Sequence, residues 1–180
     1  MVRLTTIYQQ TPGLLEHSLR VFYFCQAVVS YLPENLLTRQ QERDILTAAM
    51  YHDIGKSQWH HDWFSAPRHA IRNVDWTVMQ MHPIQAIHIL DSMPVSITPG
   101  AKKIIVEHHE RPGGSGYPYG IEPDFVSVIF AAVDVFCACI ESRPYRDYPL
   151  STEQALGEVA RFAPDIVVSA LQHAVKKLAA

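Results

Sequence analysis

The sequence predicts an all-α fold, a single compact bundle of about seven helices. Three observations carry this. Apolar side chains recur at helical spacing, a capping residue followed by proline recurs along the chain, and no stretch shows sustained period-two alternation. With 180 residues, 48% hydrophobic and 18% charged, the chain has enough apolar material for one good core. That predicts one stand-alone domain over 1–180.

The elements follow in order. Thr11 with Pro12 reads as an N-cap and first helical position. From there Leu14, His17, Val21, Phe24 and Val28 repeat at helical spacing, which turns His17 inward. A second helix, with Ile45, Ala48 and Ala49 on its buried side, ends near His52-Asp53, where Gly55 is a natural stop. Residues 57–73, rich in Trp, His and Pro, predict an irregular segment wrapped around a site. A helical stretch from Asp75 is interrupted at His82-Pro83, where the proline kinks it or starts a new helix.

Thr98-Pro99 repeats the cap-then-proline signal for a helix running to His108-His109. The glycine-rich loop 111–120 follows, then a buried helix from Val126 to Ile140 that contains Asp134. Ser151 with Gln154 predicts a capping box, and Pro164 opens the last helix.

Composition excludes several function classes. A net charge of -3 argues against binding a nucleic-acid polymer, which needs a basic excess. The most apolar run, Val126 to Ile140, is shorter than a bilayer span and holds an aspartate. No charged-apolar-small leader opens the sequence. The expectation is a cytoplasmic protein with no membrane contact. Cys25, Cys137 and Cys139 are odd in number and lack framework spacing, as in a reduced compartment, and read as small core residues.

The chemistry concentrates in His17, His52-Asp53, His82, His108-His109 and Asp134. Neutral imidazole with carboxylate suits divalent first-row transition metals. The set is too large for one tetrahedral ion. It suits two ions sharing a bridging carboxylate and water, the arrangement used for in-line displacement at phosphorus. A single histidine or aspartate on an apolar face is often just a satisfied core group. The stacked His-Asp and His-His doublets argue for metal. Arg143 and Arg146 lie close together and could hold an anion. His60, His61, His69, His88 and His173 fit no motif and read as structural or exposed, with His60-His61 alone placed to approach the site.

In this order the motifs resemble the HD-GYP phosphodiesterases, a branch of the HD metal-dependent phosphohydrolases. His52-Asp53-Ile54-Gly55-Lys56 stands for the HDIGK signature and His82-Pro83 for HP. His108-His109-Glu110 with Gly114-Ser115-Gly116-Tyr117-Pro118 stands for the HHE and GYP segments. Asp134 and Arg143-Pro144-Tyr145-Arg146 stand for the downstream acid and the RPYR tail.

The resemblance implies hydrolysis of cyclic di-GMP, a bacterial second messenger, to linear pGpG and onward to GMP. It implies two divalent ions, iron or manganese first and zinc, cobalt or nickel otherwise, held by His17, His52, Asp53, His82, His108, His109 and Asp134 with Asp53 bridging. Lys56 would meet a phosphate oxygen and stabilise transition-state charge. Arg143 and Arg146 would hold the second phosphate, and Gly116 would let Tyr117 approach substrate or a diguanylate cyclase-type partner.

Three positions depart from the family pattern. Gly113 replaces an Asp before the GYP glycine, and Cys137 replaces an Asp three residues after Asp134. Gly13 replaces a third-metal Glu, and Glu16 projects about 100° from His17, so two metals are expected. Two further readings stand beside the enzyme: a degenerate module that binds a nucleotide or signalling protein, and a phosphohydrolase of another nucleotide.

Overall fold

Helix α7, Phe125–Ile140, runs through the middle of the molecule, with twelve of its sixteen residues buried. A helix apolar on every side can only be an interior helix. The computed structural model describes residues 3–142 and 148–178, with the backbone alone at Arg68. The remaining helices in chain order are α1 Leu4–Gln10, α2 Leu14–Tyr31, α3 Arg39–Tyr51, α4 Asn73–Met79, α5 His82–Asp91 and α6 Pro99–Glu107. After α7 come α8 Thr152–Val159 and α9 Asp165–Leu178. Helices α2, α3, α6, α8 and α9 pack around α7, and α5 lies across α6 and the 3-10 turn Ile54–Gln58. No strand occurs among the described residues, and no helix among them is long and apolar enough to cross a membrane.

Nine α-helices stand among the described residues where about seven were expected. Helix α1 accounts for one of the extra pair. It ends at Thr11, whose N–H donates to the Ile7 carbonyl at 3.0 Å. Thr11 is therefore the end of α1 and not the cap of α2. The latter starts after Gly13, at a φ of 70°, with no side-chain cap. Pro83 accounts for the other, since it lies in the first turn of α5 and divides it from α4. Thr98 caps α6 through Ala101 N–H at 3.1 Å, and Ser151 with Gln154 forms the expected capping box on α8. A second box, Thr38 with Gln41 on α3, was not anticipated.

Gly55 does not act as a helix stop. Helix α3 ends at Tyr51, and Gly55 lies inside the 3-10 turn that follows. A Cβ there would fall 2.0 Å from the His82 carbonyl oxygen and 2.8 Å from Ala86 N. Glycine is required because the backbone of α5 passes directly over the turn. All three cysteines are buried, as expected.

Candidate metal centre

Three histidines reach the centre by one local device. His52 follows the last residue of α3 and its Nδ1 lies 3.2 Å from Ala49 O. His82 opens α5 just past α4, with Nδ1 2.9 Å from Met79 O. His108 follows α6, with Nδ1 2.6 Å from Ile105 O. Each partner is a carbonyl three residues upstream, and a carbonyl only accepts. Nδ1 therefore carries the proton of each neutral ring, and Nε2 is left as a lone pair.

Those lone pairs converge. His52 Nε2 is 3.4 Å from His17 Nε2, and His82 Nε2 is 3.3 Å from His108 Nε2. Asp134 Oδ1 lies 3.0 Å from His17 Nε2 and 3.5 Å from His52 Nε2. Asp53 faces both sides: Oδ2 is 3.6 Å and 3.4 Å from Nε2 of His17 and His52. Its Oδ1 is 3.2 Å and 3.9 Å from Nε2 of His82 and His108. Two groups result, His17–His52–Asp134 and Asp53–His82–His108–His109, each with ligand atoms within 4.8 Å of one another. The structure thus brings all seven expected residues together.

Asp53 Oδ1 is buried without a hydrogen-bond partner, because the nearest ring nitrogens present lone pairs to it. Acceptors facing acceptors out of water are costly unless a cation or protons lie between them. The donor set, imidazole nitrogen with carboxylate oxygen, fits divalent first-row metal ions.

The electrostatics differ between the two sides. Burial would raise the Asp53 and Asp134 carboxyls, but Lys56 and His52 around Asp53, and His17 and His52 around Asp134, hold both well below the usual range. Burial opposes a charge on His52, yet Asp53 and Asp134 push its pKa up to about 10. His17 is raised in the same sense by Asp134 and Glu141, against its burial. Burial holds His82 low, and burial with neighbouring histidines holds His108 and His109 well below the imidazole range.

The surroundings include one residue absent from the sequence motifs, Glu141, and another, Glu110, named in the HHE segment without a role. Glu141 holds His17 Nδ1 at 3.0 Å and is itself met by Arg20 Nε at 3.2 Å. Such a carboxylate–histidine pair orients a ligand ring and raises its basicity. Its signal was available, since Glu141 comes seven residues after Asp134, at the C-cap of α7. Glu110, only 1% exposed, accepts the N–H groups of Tyr119, Gly120 and Ile121 and so pins the loop after His109. A Cβ at Gly116 would fall 2.3 Å from His109 O, so this loop folds tightly back on the histidine pair. Tyr117 consequently stacks on His109 at 4.5 Å and 26°. Gly113 has a φ of 76°, and its N–H donates to Glu122 at 2.7 Å.

Lys56 pairs with Asp53 Oδ2 and lies 5.4 Å over the Trp59 ring. A cavity of about 410 Å³ opens over the centre, lined on one side by His17, Asp53, Lys56, His82 and Tyr117. The wrapping segment also lines it, through its tryptophans and not its histidines. His60 and His61 are exposed and do not line the cavity. Arg143 and Arg146 lie outside the described residues.

The family model described as HD domain matches residues 6–165. The chain belongs to the HD domain family. This HD domain is 29% identical over 165 residues to the 3'3'-cGAMP-specific phosphodiesterase 2 of Vibrio cholerae, covering 87% of this chain and 31% of that protein. It is 31% identical over 114 residues to the cyclic di-GMP phosphodiesterase response regulator RpfG of Xanthomonas campestris, covering 62% and 30%. With the cyclic di-GMP phosphodiesterase of Thermotoga maritima it shares 29% over 137 residues, covering 72% and 37%. The HD domain thus spans about a third of the length of these relatives, 31%, 30% and 37%.

Two solved structures share the fold. The HDG"Y"P protein Bd1817 from Bdellovibrio bacteriovorus superposes with a TM-score of 0.69 at 16% identity, covering 97% of this chain and 55% of that one. The HD domain of the L. monocytogenes phosphodiesterase PgpH gives 0.68 at 13%, covering 98% and 96%.

Proposed function

We propose that this HD domain, acting as one unit over 1–180, is a metal-dependent phosphodiesterase of the HD-GYP type. Its proposed substrate is a cyclic dinucleotide, cyclic di-GMP first, opened to linear pGpG and onward to GMP. The carrying observation is that two ligand groups share Asp53, one carboxylate oxygen facing each group. The activities for which the Vibrio, Xanthomonas and Thermotoga relatives are named support the same substrate class.

His17, His52 and Asp134 would hold one ion, His82, His108 and His109 the other, and Asp53 both. Iron or manganese is proposed. Two such ions, if bound there, would supply Lewis-acid polarisation of a phosphoryl oxygen and a more acidic attacking water. The chain's own groups do the rest. Lys56, lining the cavity beside Asp53, receives a phosphate oxygen and stabilises charge that grows in the transition state. Glu141 keeps the His17 ring aimed. Glu110 fixes Gly116 and Tyr117 against His109, which gives the substrate a rigid side to lie on.

Arg143 and Arg146 are proposed to hold the second phosphate. The outer side of the Tyr117 loop, with Tyr119 and Ile121 exposed, is the proposed place for a diguanylate cyclase-type partner. The proposed compartment is the cytoplasm.

The test is anaerobic purification, metal analysis and incubation with cyclic di-GMP and with 3'3'-cGAMP, following linear product and GMP. Two metals per chain with cleavage of either compound supports the reading. A metal-replete protein that binds both tightly and cleaves neither would establish a binding module instead.

A further inference from the structure

All three tryptophans of the chain, Trp59, Trp63 and Trp76, line the cavity over the metal centre. Trp59 is already engaged. Its ring meets Phe64 at 5.5 Å and the edge of His82 at 5.7 Å, and the Lys56 ammonium lies above it. Trp63 is different. It is half-buried, and its one ring neighbour among the described residues is His60, at a centroid distance of 6.4 Å. Trp76, from the first turns of α4, is half-buried at the same wall.

The segment carrying this wall is built from short turns. Trp63 N–H donates to His60 O at 3.0 Å, Ala66 N–H to Asp62 O at 3.0 Å and Ala70 N–H to Pro67 O at 2.9 Å. No helix or ladder demands a tryptophan at position 63, and the core does not enclose it. Large indoles normally bury their area or meet a partner. Here the available partner is whatever enters the cavity.

Of the wall residues Trp63, Phe64, Ala66, Ile71, Trp76 and Met79, none carries a charge. The same cavity is also lined by Lys56 and by ligand groups of the metal centre. The cavity therefore joins the metal-ligand groups and one ammonium, where a phosphodiester would react, to an uncharged apolar and aromatic surface where the rest of the ligand would lie. In a nucleotide only the sugar separates phosphate from base.

Resting on the phosphodiesterase reading, we propose that Trp63, which lines the same cavity as Trp76, is the stacking platform for one purine base of the substrate. The base is held by its face and not by its edge. Aromatic stacking tolerates different bases, because every base presents a π-face. The wall therefore accepts guanine and adenine alike, and dinucleotides containing either are substrates.

The test uses tryptophan fluorescence of the manganese-loaded protein, titrated separately with GMP, AMP, guanosine and ribose 5-phosphate. GMP and AMP are expected to quench the emission with Kd values within about threefold of each other, as sequence-tolerant stacking requires. Ribose 5-phosphate should bind roughly tenfold or more weakly, without quenching. Trp63→Ala should raise the Kd for GMP and AMP by roughly tenfold or more, leaving metal content and ribose 5-phosphate affinity unchanged. Trp63→Phe should restore most of the loss, which separates stacking from a folding defect.

Equal binding of GMP and ribose 5-phosphate, or an unchanged GMP affinity in Trp63→Ala, overturns the platform. Strong preference for GMP over AMP overturns recognition by face. If the protein takes up no metal and cleaves nothing, the phosphodiesterase reading fails by itself. Quenching by guanosine, which needs no phosphate site, still decides the platform.

Discussion

Glu141 grips the outer nitrogen of His17, with both carboxylate oxygens at 3.0 and 3.1 Å from Nδ1. It stands one helical turn after Cys137, where the resemblance led us to expect an acid and found a thiol. Cys137 is fully buried and its thiol is pushed up, first by burial and then by Cys25. A carboxylate there would be poorly solvated. The acid that aims the first histidine is supplied from the end of α7 instead.

Glu141→Gln should therefore weaken the first metal site while leaving the second alone. Losing such an outer-shell partner typically costs about 10- to 100-fold in affinity. Competition titration with a metal chelator reads the two sites separately. Unchanged affinity at both would remove Glu141 from the site.

Asp53→Ala should lower the metal content from two ions to less than one. Its Oδ1 and Oδ2 face different ligand groups, so each loses a carboxylate at once. Elemental analysis checks this, and full retention of both ions would contradict the bridging role.

Proton competition gives a pH dependence. With its pKa pushed up to about 10, His52 carries an extra proton at neutral pH in the metal-free protein, and His17 is raised in the same direction. Those protons must leave before a cation binds, so affinity at this side rises with pH and falls as pH drops. His82, His108 and His109, held low, release none near neutrality. Calorimetric titration with manganese in buffers of different ionisation heat measures the released protons. No release at pH 7 would show that the His17 side is already neutral.

Lys56→Ala should keep both metals and lower turnover by roughly 10²-fold, the scale of one lost preorganised electrostatic donor. The ammonium now rests on Asp53, so its removal frees that carboxylate and takes no ligand away. Metal analysis paired with steady-state rates separates the two effects. Normal turnover would return Lys56 to the role of a neutraliser of Asp53.

Gly55→Ala should destabilise the fold by about 1–3 kcal/mol or more, because overpacking against fixed backbone has no cheap relief. The cost should show as a lowered Tm in the metal-free protein. A neutral effect would mean that α5 can slide away from the turn.

How much was legible in advance depended on whether a residue's role was local. Thr98-Pro99 and Ser151 announced helix starts because caps act over three residues, and both were read correctly. The histidines stood out because metal ligands come in recognisable chemical types. The roles of Glu141 and Glu110 were not legible, though Glu110 was named in the HHE segment, since their partners, His17 and the backbone of 119–121, are set by tertiary approach. Thr11-Pro12 misled for the reverse reason: the same cap signal can close one helix instead of opening the next. In the wrapping segment the histidines drew attention, yet the tryptophans face inward, because the turns there follow no periodicity that sequence could reveal.

The carbonyls behind His52, His82 and His108 have a consequence for supply. Rings whose Nδ1 protons are tied to helix ends keep one direction whether or not anything is bound. The receptacle is cast before its contents arrive, so capture needs little rearrangement. Nitrogen and oxygen donors of this kind rank the first-row metals by their general affinity order, with copper at the top. A pre-cast cradle adds no conformational step at which a wrong ion could be refused. Which metal such a protein carries in a cell is then decided largely by what the cell makes available when the chain folds.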